Sequence, residues 1–225
     1  MTKKDIKLNL NNKWLILCGL IGSVFFTFSW IIQEAFREGY NPMMNPISAL
    51  AIGPLGWMQI LTFFISGALI ILFGYGLFNK RKNKEKLLSK WAPILIIICG
   101  IGLIGAGCFI TDPINGYPQG TPVLSESPSL ESSIHQIFSA FLFLGLPLAC
   151  FVIGNYFAHK RDLKWLLYCF LTGMSFLVVF FLAMLGFEQI GGFQNYAGLL
   201  QRITITIGFL WMSLISVYFF KKQNR

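Results

Sequence analysis

Charge is what this sequence has least of. Only 12% of its 225 residues are charged and two are histidines, whereas 55% are hydrophobic. Soluble domains of this length are about a quarter charged, so an ordinary water-soluble fold is excluded. Cysteine is sparse, and Cys18, Cys99, Cys108, Cys150 and Cys169 all fall inside apolar runs. An odd set with no outer-loop pair excludes a disulfide framework, and its wide spacing excludes a thiolate metal site, so no metal or cofactor is expected. His135 and His159 fall on opposite sides of the membrane, and a zinc centre needing several histidines on one face cannot be built. No run carries a charge at its midpoint, and no filter-like tract or charge ring is present. That argues against a channel and against the coupled transport of a polar solute.

What the sequence does have is long apolar runs. Six of them, near 14–33, 57–78, 91–111, 134–157, 165–187 and 199–220, reach the about 20 residues that cross a hydrocarbon layer of roughly 30 Å. The fold class is all-α: a polytopic membrane protein, a six-transmembrane-helix bundle forming a single transmembrane domain over 1–225. The first run lacks a small-residue cleavage site and extends through Trp30, Ile31 and Ile32, so it reads as helix one rather than a secretion signal. Four runs open on tryptophan, at Trp14, Trp57, Trp91 and Trp165, as interfacial anchors do.

Basic residues set the expected orientation. Lys3, Lys4, Lys7 and Lys13, the strip "KRKNKEKLLSK", then Lys160, Arg161 and Lys164, and finally Lys221, Lys222 and Arg225 all fall on one side. Arg37 and Arg202 alone fall on the other, with Glu34, Glu38, Asp112, Glu126, Glu131 and Glu188. Such a bias places both termini in the cytoplasm. It also accounts for the net charge of +9 through lipid headgroups, with no nucleic acid as partner.

The outer loops hold most of the irregular sequence, in "REGYNPMMNPISALAIGP" and "DPINGYPQGTPVLSESPS". In the third run, "CGIGLIGAGCF", small residues permit close backbone approach and suggest the helix at the centre of the bundle. Pro113 should stop that helix at Asp112. A carboxylate at a helix C-terminus faces an unfavourable dipole and the edge of the lipid, so it calls for a basic partner. Arg202, about one turn into helix six, and His135, at the start of helix four, lie at the same depth. A polar cluster of Asp112, Arg202 and His135 is expected. Asn45 and Ser48, in "NPISAL", start a short helical or re-entrant segment whose free amides face a cavity. Gln201 and Arg202 are adjacent in sequence and do not share a helix face, so only one of them need point inward.

These segments resemble the DUF998 family of six-helix prokaryotic membrane proteins, which has no assigned substrate or reaction. The resemblance rests on "YNPMMNPISALAIGPLGWMQ", "GLIGAGCFITDPINGYPQG", "SSIHQIFSA" and "GLLQRITITIGFLW", with 111–120 the most specific tract. It implies a multi-pass protein of a prokaryotic cell membrane with its motifs at the outer helix ends. It points to Asn45, Pro46, Ser48, Asp112, Pro113, Gly116, His135, Gln201 and Arg202.

Three function classes follow. The first binds, and in one form moves, a lipid-like or small amphiphilic ligand at the outer face. There Arg202 anchors an anionic group, and Asn45, Ser48, Asp112, His135 and Gln201 complete the site. The second is a structural or accessory membrane protein with a stabilising polar cluster. The third is a lipid hydrolase with Ser48 as nucleophile, His135 as base and Asp112 as orienter, although no nucleophile-elbow motif surrounds Ser48. Membrane lipids are partners in every case, and the aromatic outer faces suit lipid or a second subunit equally.

Overall fold

A computed structural model of the protein describes residues 3–83, 85–123 and 127–222, with the side chains of the first helix described from Asn12 onward. Lys84, Glu126 and Arg225, and the side chains of Lys3, Lys4 and Lys7, lie outside the described residues. Six helices, α1 (Lys3–Ala35), α2 (Gly56–Asn83), α3 (Trp91–Cys108), α4 (Leu130–His159), α5 (Leu163–Phe187) and α6 (Ala197–Lys221), form an all-α bundle. Each is long and apolar enough to cross a membrane, and the chain is a multi-pass membrane protein.

The helices pack in chain order. Each lies against the one before and the one after it, and α6 returns to α1, so the bundle closes into a ring. Helices that each cross the membrane in turn run antiparallel to the one before. The start of α1, the end of α6, the α2–α3 loop and the α4–α5 loop therefore share one end, the basic end. The α1–α2, α3–α4 and α5–α6 loops share the other, the loop end.

Among the described residues no helix runs through the middle of the ring. α3 is therefore not the central helix that its glycines suggested. Those glycines serve two neighbours at once. A Cβ on Gly100 would stand 2.6 Å from the Gly67 carbonyl oxygen of α2, and one on Gly102 would stand 2.6 Å from the Phe138 oxygen of α4. A helix gripped closely on both sides needs small residues on both faces, and dispersion across those contacts holds α2, α3 and α4 together.

Aromatic rings fill the interior. Phe26 of α1 lies 5.9 Å from Phe63 of α2 and 5.1 Å from Phe209 of α6. Trp14, Trp57 and Trp91 are exposed on the outer surface, as interfacial anchors should be, while Trp165 stacks on Phe157 at 5.4 Å.

Several helix bounds differ from the expectation: α1 starts at Lys3 rather than 14 and α2 runs on to Asn83 rather than 78, and two further shifts have a visible cause. α3 stops at Cys108, before the residue preceding Pro113, because Phe109 is extended (φ −120, ψ 124) and closes the last turn on the Gly105 oxygen. α4 starts at Leu130 rather than 134, because the Ser129 side chain caps it by accepting from the Ser132 N–H at 3.0 Å.

The basic end is fastened by a carboxylate. Glu85, in the α2–α3 loop, is 6% exposed and accepts from the Tyr156 hydroxyl of α4 at 2.7 Å. Lys222, just past α6, reaches it at 2.7 Å, and Lys160 stands 4.0 Å away. Lys80 of α2 donates to the Phe219 carbonyl at 2.5 Å, tying α2 to α6 across the same end. Burial pushes the Glu85 carboxyl up, but hydrogen bonds from Lys222 and Tyr156, with the charges of Lys222 and Lys160, outweigh burial and hold it below the ordinary 4.5. The unfolded chain thus takes up this proton more readily than the folded one. The stability that the clamp contributes is full above the ordinary glutamate value and is lost as the pH falls through the lower folded value. Thermal unfolding of detergent-solubilised protein between roughly pH 6 and pH 3 should show this acid-dependent loss. Glu85→Gln should be less stable at neutral pH and lose less on acidification; equal slopes would remove Glu85 from the account.

Candidate functional site

The loop end is organised by Arg202. This side chain stands in the second turn of α6 and is 6% exposed, at a depth where an unpaired cation is strongly disfavoured. Its Nε–H donates to the Glu34 carboxylate of α1 at 2.9 Å. Nη1 donates to the backbone oxygens of Asn45 and Gly198 at 3.0 and 2.9 Å, and Nη2 to the Tyr40 hydroxyl at 2.5 Å. Four of the five guanidinium N–H groups are thereby engaged. The planar cation also lies 5.4 Å from the Trp30 ring and 5.5 Å from the Tyr40 ring.

From this hub a cap spreads over the loop end. Tyr40 donates to the Pro46 carbonyl at 2.9 Å and meets Tyr117 edge-on at 5.1 Å. Burial pushes the Tyr40 phenol up to about 12, partly offset by the Arg202 charge, so it stays protonated and can donate. Asn45 holds the α1–α2 loop to the α3–α4 loop by donating to the Ile114 and Asn115 carbonyls at 3.2 and 3.3 Å. Asn115 donates to the Met44 oxygen at 2.8 Å and accepts from Gln189 of the α5–α6 loop at 2.8 Å. Position 198 must be glycine: a Cβ there would stand 2.5 Å from the Asn45 oxygen and 2.6 Å from that of Pro42. All three loops are thus joined through one buried cation and two asparagines.

Asp112 and His135 have a different relationship. The Asp112 carboxylate accepts from the Ser129 N–H and hydroxyl, both at 2.7 Å, and its N–H donates to Ser132 at 3.2 Å. The expected remedy for a carboxylate at the end of α3 was a basic side chain. The N-terminus of α4 supplies the favourable field instead. His135 in turn places Nδ1 2.7 Å from the Phe109 oxygen and 3.1 Å from that of Ala106, capping carbonyls that α3 leaves open. Each helix end is completed by a residue beside the other. The Arg202 ion pair is with Glu34, not Asp112.

Inside the ring, beneath the cap, lies a cavity of about 480 Å³ to which all six helices contribute. Ser48, Asp112, His135 and Gln201 line it; Asn45 and Arg202 do not, because they belong to the hub. Gln201 and Arg202 point to different places, as adjacent helical residues must: Gln201 faces the cavity and accepts from the Ile47 N–H at 2.8 Å. The 3-10 turn Ile47–Ala51 is the short helical segment expected after Asn45, and this bond satisfies its leading amide.

The family model described as "Protein of unknown function (DUF998)" matches residues 20–218. The chain belongs to the DUF998 family. No curated protein and no solved structure matches it. The DUF998 match takes in the whole hub, the cap and the cavity wall, whereas Lys222 of the Glu85 clamp falls beyond it.

For a DUF998 hydrolase working through Ser48, His135 and Asp112, the base would turn Nδ1 to the carboxylate. Here Nδ1 is held by two backbone carbonyls and the carboxylate by Ser129, so Asp112 is not the orienter of His135. Glu34, Tyr40, Trp30, Ser129 and Glu188 were not among the expected site residues. Glu34 had a readable signal: a carboxylate in the last turn of a spanning helix needs a cation, and that end has only Arg37 and Arg202.

Arg202→Leu should leave the Glu34 carboxylate without its cation and destabilise the protein by about 3–5 kcal/mol. Replacing Glu34 and Arg202 together by leucine should lose much less than the two single changes combined. Thermal unfolding of the four proteins closes the cycle; additive losses would mean that the pair is not coupled.

Proposed function

We propose that this DUF998 protein is a structural or accessory component of a prokaryotic plasma membrane, a single transmembrane domain with both termini cytoplasmic. Its Arg202 hub serves to hold the loop cap rigid over the bundle. One observation carries this reading: the donors of Arg202 are directed at the chain's own Glu34, Tyr40, Asn45 and Gly198. A cation so engaged has little left for an anionic ligand. Native mass spectrometry of gently purified protein tests it. Any co-purifying adduct should persist in the Glu34→Leu/Arg202→Leu protein, and an adduct lost there alone would return Arg202 to ligand anchoring.

The orientation is supported by the lysine-rich basic end. In a cysteine-free background, a membrane-impermeant maleimide should label Asn195→Cys on intact cells and Lys164→Cys only after permeabilisation. The reverse pattern would invert the protein.

A second reading is favoured by the cavity: Ser48, Asp112, His135 and Gln201 form the polar wall of a site for an amphiphile, bound without chemistry. About 480 Å³ lies within the about 300–1,000 Å³ typical of small-molecule sites.

A further inference from the structure

The cavity has a chemistry opposite to the one that Arg202 suggested in the sequence. Among the described residues lining it, the charged side chains are Asp112 and Glu188, both acidic. Arg202 is held in the hub, and Arg37, the other base at this end, donates to the Leu50 and Leu55 carbonyls at 2.6 and 2.7 Å. The lysine strips lie a membrane's thickness away. An anion entering here meets two carboxylates and no cation.

His135 adds direction. The two atoms facing its Nδ1 are backbone carbonyl oxygens, which only accept, so Nδ1 carries the proton, and in its neutral form the ring keeps a lone pair on Nε2. Among the described residues Nε2 has no hydrogen-bond partner, although His135 lines the cavity and is 2% exposed. Nε2 is thus an acceptor open to a donor that enters the cavity. Asp112, with both oxygens already accepting from Ser129, still has lone pairs for a further donor.

Below this polar wall the lining is apolar, with Phe63, Leu142, Phe143 and Ile205 all buried. Between α4 and α5, towards the loop end, the wall is only partly buried. Ser139 and Ala140 on one side and Phe180 and Met184 on the other are half-buried, and Gln136 and Glu188 at the rim are exposed. An aliphatic tail can therefore enter sideways from the lipid with its head at the loop end.

We infer that the cavity binds a cationic amphiphile, a single-tailed amine whose protonated head donates to His135 Nε2 between Asp112 and Glu188 while its tail occupies the apolar interior. This rests on the cavity reading above. It assigns an ammonium head where the sequence had suggested an anionic one.

The test offers dodecylammonium, dodecanol and dodecanoate separately to the full-length protein in nonionic detergent. Adducts are counted by native mass spectrometry and affinities taken from concentration-dependent thermal shifts. One dodecylammonium should bind per chain, at least about tenfold more tightly than dodecanoate. Glu188→Gln, at an exposed position, should weaken the ammonium several-fold and leave dodecanol unchanged. Ala140→Trp, or Ser139→Phe should the first fail to fold, should fill the cavity and abolish binding. Dodecanoate or dodecanol binding as tightly as the ammonium, with sensitivity to the cavity-filling change, would overturn the cationic assignment and leave the cavity reading standing. So would an ammonium affinity indifferent to Glu188→Gln. Adducts of every probe that ignore the filled cavity, or no adducts at all, would overturn both.

Discussion

A guanidinium inside a membrane bundle must be surrounded, and the architecture of the loop end follows from that requirement. Arg202 is too far from water to be left to solvent, so a carboxylate, a phenol and two carbonyls converge on it from α1, the α1–α2 loop and its own helix. That convergence needs the chain to pass within touching distance of α6, which only glycine at 198 permits. Once the α1–α2 loop is seated there, Asn45 and Asn115 fasten the remaining loops to it. A cap of irregular backbone, intolerable in lipid if its amides were open, becomes acceptable because its polar groups are paired within the protein.

The same logic, at lower charge, explains the pairing of α3 with α4. Helices leave carbonyls open at one end and amides at the other, and antiparallel neighbours bring those opposite ends together. Asp112 supplies the anion that the α4 amides favour, and His135 supplies the donor that the α3 carbonyls lack. Neither residue needs a partner of opposite charge. The cavity beneath inherits what is left: two carboxylates, an imidazole lone pair and an apolar interior.

Much of this fold was legible in the sequence because hydrocarbon thickness is a strict ruler. The six spans, their alternation and the segregation of lysine to one end follow from run length and charge alone. At the loop end Asp112 was legible as a carboxylate in a costly position, Arg202 and His135 as its candidate partners, and Asn45 as the start of a short helical segment. Their pairing was not. Which acid meets Arg202 depends on how α1 and α6 are rotated across a ring that closes between chain ends, and Glu34 is 168 positions away. The glycines of α3 misled for a related reason, since spacing reveals that backbones approach closely but not from how many sides. Trp30 served in the sequence only to extend the first run and Tyr40 was not singled out; the burial of the cation against their faces gives them a role.

The seam of the ring deserves comparison with its other joints. Where α1 meets α6, the Ser216 hydroxyl donates to the Ile16 oxygen at 2.6 Å and accepts from the Leu20 N–H at 3.2 Å, a contact of the same order as those between consecutive helices. A ring whose closing joint resembles the rest has no intrinsic starting point. Joining the present ends and reopening the chain at the α4–α5 turn would keep every helix beside its neighbours and both new ends on the basic side. Reopening it at the α1–α2 loop would instead cut the strand that surrounds Arg202 and move the ends across the membrane. Tolerance to rearrangement is thus unequal between the two ends of the molecule, and the lysine-lined half is the one open to evolutionary reshuffling.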